Sequence, residues 1–123
     1  MSRLSTTAEN TAIASIFVPG TTYYLSLHSG DPAQTGANEI SGGSYARQAI
    51  VFGSASGGSE ASNASITFTS LPAEASGIPY FGIWTASTSG TYIGGGVTTG
   101  LSGSLPAGIS VNFATGQVTV SLS

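Results

Sequence analysis

One histidine, five acidic residues and two arginines are the side chains of this 123-residue chain that can carry charge near neutral pH, and it contains neither lysine nor cysteine. His28 closes a run of alternating apolar and polar residues, and Asp31 follows it across a glycine and just before a proline. A histidine beside an aspartate is the start of an acid–base pair or of half a metal site. Either needs a third group to complete it, and the sequence holds no second histidine and no thiol. His28 therefore reads as a structural polar residue that hydrogen-bonds to its turn. Asp31 and Glu39 share one polar loop, where a weak calcium site is conceivable but lacks the Asp-rich ligand run such loops carry. No serine lies in a Gly-x-Ser-x-Gly elbow, and Gly94-Gly95-Gly96 is followed by no lysine and so is not a phosphate loop. The residues point to no catalytic group, no metal and no cofactor.

Arg47 is the most informative charge. It stands in a run, Tyr45 to Phe52, where Tyr45, Arg47, Ala49 and Val51 share a face that is otherwise uncharged. An unpaired charge there is costly to bury, so the sequence predicts an ion pair with Asp31 or Glu39 that pins the polar loop to the strand. The competing reading is an interface anchor, a role in which arginine is enriched. Among the aromatics, Tyr24, Tyr80 and Trp84 are candidates for a ligand-facing surface, with Tyr23, Tyr45 and Tyr92 beside them. The alternative is that all pack within the fold.

These residues must be positioned by strands. Tyr23, Leu25 and Leu27 alternate with Tyr24, Ser26 and His28, the period of a half-buried strand. Further strands are expected at Tyr45 to Phe52, around Ile66 and Phe68, at Tyr80 to Thr85, from Tyr92 onward, and at Ile109 to Phe113 and Val118 to Leu122. The last two are joined by Ala114-Thr115-Gly116 and read as a closing hairpin. Gly53 to Ala64 has no apolar residue larger than alanine and reads as a flexible loop. One helix is expected over residues 6–17, opened by a Thr6/Glu9 capping box, and ended by Pro19-Gly20. Seven or eight short strands with Gly/Ser turns predict a mainly β fold: an antiparallel β-sandwich (jelly-roll or Ig-like) with one short N-terminal helix. The expected organisation is a helical arm over residues 1–20 and one sandwich domain over 21–123.

Composition bounds the partners. Only 6% of residues are charged and the net charge is −3, against about 25% charged in an average domain. Two scattered arginines form no patch for nucleic acid or for an anionic membrane. No apolar run approaches the roughly 20 residues of a membrane span or resembles a signal peptide, so a protein made and kept soluble in its producing cell is expected. A surface this poor in charge suits a protein packed against copies of itself. The apolar stripe Ala12, Ile13, Ile16 and Phe17, together with the terminal strand residues Val118, Val120 and Leu122, is the expected interface, since that strand has no Lys or Pro to discourage pairing.

The segment Tyr24-Leu-Ser-Leu-His-Ser-Gly-Asp-Pro32, followed by Gly36-Ala-Asn-Glu-Ile-Ser-Gly-Gly-Ser-Tyr-Ala-Arg-Gln-Ala-Ile-Val-Phe52, resembles a family of small bacteriophage virion proteins of tail-fibre-like, minor-tail or capsid-decoration type. The likeness extends to the Gly-Ile-Trp strand at Gly82 to Trp84 and to the ending Ile109 to Leu122, and Tyr45-Ala46-Arg47-Gln48 is its most specific block. The chain departs from the pattern at Gly94-Gly95-Gly96 and Leu105-Pro106. The resemblance implies a non-enzymatic virion structural protein, made in the host bacterial cytoplasm. It also implies assembly with itself, as a homotrimer, and with the major capsid or tail protein. A fibre shaft needs a long repeat or a coiled coil. The chain has neither, so a many-copy capsid decoration is the leading expectation, with a tail- or fibre-associated, glycan-binding knob close behind.

Overall fold

In a computed structural model, which describes residues 4–122, the chain forms one helix and eight strands. Helix α1 (Thr6–Ile16) is capped by Ser5, whose Oγ accepts from the Ala8 N–H at 3.1 Å. The cap thus lies one residue before the expected Thr6, which is itself the first helical residue. The strands are β1 (Thr22–His28), β2 (Gln48–Val51), β3 (Ser59–Ala61), β4 (Ile66–Phe68), β5 (Tyr80–Trp84), β6 (Tyr92–Val97), β7 (Val111–Phe113) and β8 (Thr119–Ser121). All pair antiparallel. A four-stranded sheet runs β2-β1-β5-β6, and two short ladders, β3-β8 and β4-β7, complete a sandwich-like, mainly β fold.

The inner face of the large sheet carries Tyr23, Leu25 and Leu27 from β1, Ile50 from β2, and Phe81 and Ile83 from β5. They meet Ile66 and Phe68 of β4 and Val111 and Phe113 of β7, where Phe68 and Phe113 pack edge to face with centroids 6.2 Å apart. Phe17, Tyr23 and Phe52 form a second aromatic group under the helix.

Three expectations are corrected. The last two strands are not a hairpin. Ala114 to Gln117 does turn tightly, but β7 goes to β4 and β8 goes to β3, because both ladders face core positions that a local hairpin would leave open. The Gly53–Ala64 stretch is not a free loop. Gly53 and Asn63 N–H groups bond the Ala61 and Val51 carbonyls, and Ser62 N–H bonds Val118. The expected interface is internal in part. Ile13, Phe17 and Val118 are buried in the chain's own core, so this side of the helix packs on the strands. Ala12 and Val120 are half-buried, while Ile16 and Leu122 stay exposed.

β3 places a carboxylate inside. Glu60 is 2% exposed, and neither carboxyl oxygen has a hydrogen-bond partner among the described residues. Burial pushes its pKa up. With the folded pKa above the unfolded one, the penalty is absent in acid and grows as pH rises above the ordinary carboxylate range. Glu60→Met is therefore expected to stabilise the protein at pH 7 by about 1–3 kcal/mol, the cost of an unsatisfied buried group, with the gain shrinking toward pH 4. Thermal melts at the two pH values check this, and a lower melting temperature at pH 7 would refute it.

Candidate functional site

The outer face of the large sheet is polar, and the chain covers much of it with its own loop. β2 pairs with β1 only as far as Leu25. The edge of β1 that β2 leaves free is taken by residues 38–40, through Ser29 N–H to Asn38 O and Ile40 N–H to Leu27 O, both 3.0 Å. Glu39 thereby sits opposite His28 on the outer face. Strand register puts Tyr24, Ser26 and His28 beside Trp84, Gly82 and Tyr80 on the same face.

Beneath the loop lies a directed chain of hydrogen bonds. His28 Nδ1 is 2.7 Å from the Ala37 carbonyl, which can only accept, so Nδ1 carries the proton and Nε2 accepts from Ser26 Oγ at 2.7 Å. Ser26 Oγ in turn accepts from Trp84 Nε1 at 2.8 Å. Burial lowers the His28 pKa, which favours this neutral tautomer. Ser26 and His28 have the spacing of a nucleophile and its base, but each is 0% exposed, and a backbone carbonyl stands where a carboxylate would orient the ring. Gly82 makes the room: a Cβ there would lie 2.7 Å from Ser26 Oγ and 2.8 Å from His28 Nε2.

Arg47 clasps the loop. Its Nε and Nη2 donate to Glu39 Oε2 and Oε1 at 3.0 and 2.9 Å, and Nη1 donates to the Ala86 and Ser89 carbonyls at 3.1 and 2.9 Å. The guanidinium also lies 3.8 Å over the Trp84 ring, a cation–π contact. Tyr45 OH donates to Glu39 Oε2 at 2.6 Å and accepts from Leu27 N–H. Burial alone would raise the Glu39 pKa. The hydrogen bonds from Arg47 and Tyr45 outweigh it and hold the carboxyl below its ordinary value. Burial and the Glu39 hydrogen bond push the Tyr45 phenol up, so it remains a donor.

Of the two carboxylates proposed for Arg47 from sequence, Glu39 is the partner. Asp31 instead closes its own turn, accepting from Ala33 N–H at 2.8 Å through Oδ1. The two acids of the conceivable calcium loop are thus used separately, and no group of three or more potential ligands gathers among the described residues. Of the aromatics named from sequence, Trp84 is half-buried and held by Arg47, Ser26 and Tyr92, and Tyr24 lies half-buried on the same face. Tyr80 opens onto a hollow of about 300 Å³ between the 31–34 turn and β6, shared with Tyr92, Gln34 and Asp31.

Sequence reasoning did not anticipate the Trp84–Ser26–His28 relay, the Tyr45 contact or the closeness of Gly36 to Trp84. The available signal was that the polar side of β1 carries Ser and His, not charges, as a polar face covered by a loop requires. A second hollow, of about 550 Å³, separates α1 from β6 and β8 on the opposite side of the sheet, with Ile16, Val97 and Leu122 at its surface.

Residues 3–121 match the family model described as Podophage GP4 fiber I protein gp80. No curated protein matches the chain.

Proposed function

This chain belongs to the podophage GP4 fiber I protein gp80 family, and from that premise we propose that it is a non-enzymatic, many-copy knob of a phage fibre that meets the host surface. The family makes it a virion component of fibre type, and the match over residues 3–121 is the observation that carries the reading. It supports a fibre position, and nothing in it supports capsid decoration. These 123 residues hold no shaft-forming repeat, which fits a globular element of the fibre.

A structural role is supported by the fate of the reactive groups. The Ser26–His28 pair is sealed beneath the loop, and Glu39 and Arg47 neutralise each other. Self-association, as a homotrimer, is supported by the groove between α1, β6 and β8. It carries no charged side chain and exposes Ile16, Val97 and Leu122, with Val97 71% exposed. Among the described residues, β6 ends its sheet and β8 has a strand neighbour on one side only. Apolar edges of this kind invite a second copy. The partners are copies of this chain and other fibre or tail proteins. Synthesis takes place in the cytoplasm of the infected bacterium, before assembly.

Gold-labelled antibody against the protein, applied to intact virions, is expected to decorate the tail fibres. Label confined to the head would overturn the fibre position. Sedimentation of the purified protein is expected to show a species about three times 12.1 kDa that dissociates on Ile16→Ser. A monomer at all concentrations would remove the trimer.

A further inference from the structure

We propose that the hollow between the 31–34 turn and the outer face of β5 and β6 is a binding site for a neutral saccharide. The inference deepens the host-facing fibre reading and rests on it for biological meaning. Its chemistry stands on the residues alone.

The hollow, about 300 Å³, is at the small end of ligand pockets. Two tyrosines, Tyr80 and Tyr92, supply aromatic surface, and Val97 adds an apolar rim. Around them stand polar groups the fold does not use. The hydroxyls of Tyr80 and Tyr92 and the Gln34 amide have no hydrogen-bond partner among the described residues, and Asp31 commits Oδ1 to its own turn while Oδ2 has none. This set is mixed in character: a carboxylate that only accepts, an amide that does both, and two phenols that do either. Burial and the Asp31 charge push the Tyr92 phenol up, so it stays protonated and able to donate.

That inventory selects among ligands. Asp31 is the one charge lining the hollow, and Arg47 is held by Glu39 and Trp84. An anionic ligand would meet an unbalanced carboxylate. A purely apolar ligand would leave four polar groups desolvated and unpaired. A pyranose ring answers both conditions: its C–H face lies on a tyrosine, and its hydroxyls donate to Asp31 and exchange hydrogen bonds with Gln34 and the phenols. The bond to the carboxylate is charge-assisted and is the strongest of these. A Cβ on Gly95 would strike the Phe81 carbonyl of the paired strand and lie 2.8 Å from the Tyr92 hydroxyl, so glycine there lets the phenol lie over β6.

Saturation-transfer NMR of the purified protein with neutral hexoses, deoxyhexoses and N-acetylhexosamines, beside sialic acid and a sulfated hexose, tests the site. Transfer to at least one neutral sugar and to neither anion is expected. Gln34→Ala and Tyr80→Ala are each expected to weaken binding by about tenfold, the loss of one well-made hydrogen bond or aromatic contact. Ile16→Ser, on the other side of the sheet, should leave it unchanged. No transfer to any neutral sugar, preference for the anions, or binding that persists undiminished in Gln34→Ala would overturn the proposal. Gln34 is exposed, so that variant decides even if Tyr80→Ala fails to fold. Because the measurement uses no virions, a negative result leaves the fibre position standing, and antibody label on the head would leave a measured sugar site standing.

Discussion

Arg47→Met is expected to lower the melting temperature by about 10 °C. Arg47 donates four hydrogen bonds, two to Glu39 and two to the backbone of the β5–β6 turn, and lies on Trp84. Methionine keeps much of the stem packing and loses all of these. Removing one member of a buried pair costs about 3–5 kcal/mol. Here the side chains are 10% and 22% exposed, so partial solvation reduces the figure to about 2–3 kcal/mol. At roughly 3–5 °C per kcal/mol for a domain of this size, the shift follows. Replacing both partners, Arg47→Met with Glu39→Leu, should cost less than the two single changes summed, because no charge is then left stranded. A shift under 2 °C in Arg47→Met would mean that the clasp does not hold the loop in solution.

Gly36→Ala is the second large effect. Gly36 has φ +77°, where an L side chain is strained by about 1–2 kcal/mol. Its Cβ would also strike the Trp84 ring and lie 3.0 Å from Tyr92. Trp84 cannot retreat, since Ser26 holds its Nε1 and Arg47 covers its face. Overpacking of this kind adds about 1–3 kcal/mol. The expected result is a loss of about 2–5 kcal/mol with the loop lifted from the sheet. The chain has one tryptophan, so its fluorescence reports on the loop directly, and a red shift should accompany the fall in melting temperature. Gly20→Ala separates the two causes. Gly20 has φ +83° and nothing within 4 Å of its Cβ position, so that variant shows the backbone cost alone and no change in emission. Unshifted fluorescence in Gly36→Ala would contradict the closed loop.

The strands that were legible are those whose side chains alternate by themselves. β1, β4 and β5 lie within a residue of where period and composition put them, and β6 begins at Tyr92 as expected. Arg47 was legible for a related reason. A single charge on an uncharged strand face must find a partner, and the polar loop between β1 and β2 held both candidates. The likeness to phage virion proteins was carried by local blocks such as Tyr45-Ala46-Arg47-Gln48, which need no tertiary information to be recognised.

Alternation along a strand records which residues point together. It does not record what lies opposite. The choice of Glu39 over Asp31 depended on residues 38–40 occupying the edge of β1 beyond Leu25, which sets Glu39 across from His28 and leaves Asp31 in its own turn. The burial of both faces of β1, which turned Ser26 and His28 into an internal relay, came from the same loop closing over the sheet. β3 was missed because Ser59-Glu60-Ala61 has no hydrophobic signature, and only its pairing with β8 makes it a strand. The final hairpin failed for the matching reason. Strand identity is local, but strand pairing is decided by which partner completes the core, and Ile66 and Phe68 offered Val111 and Phe113 more apolar contact than the neighbouring strand could. The sequence by itself thus determined the fold class, the charge-poor surface and the need to neutralise Arg47. Only the tertiary structure decided which acid does so, which polar groups are sealed, and which tyrosines remain open to a ligand, because each of those depends on contacts between segments far apart in the chain.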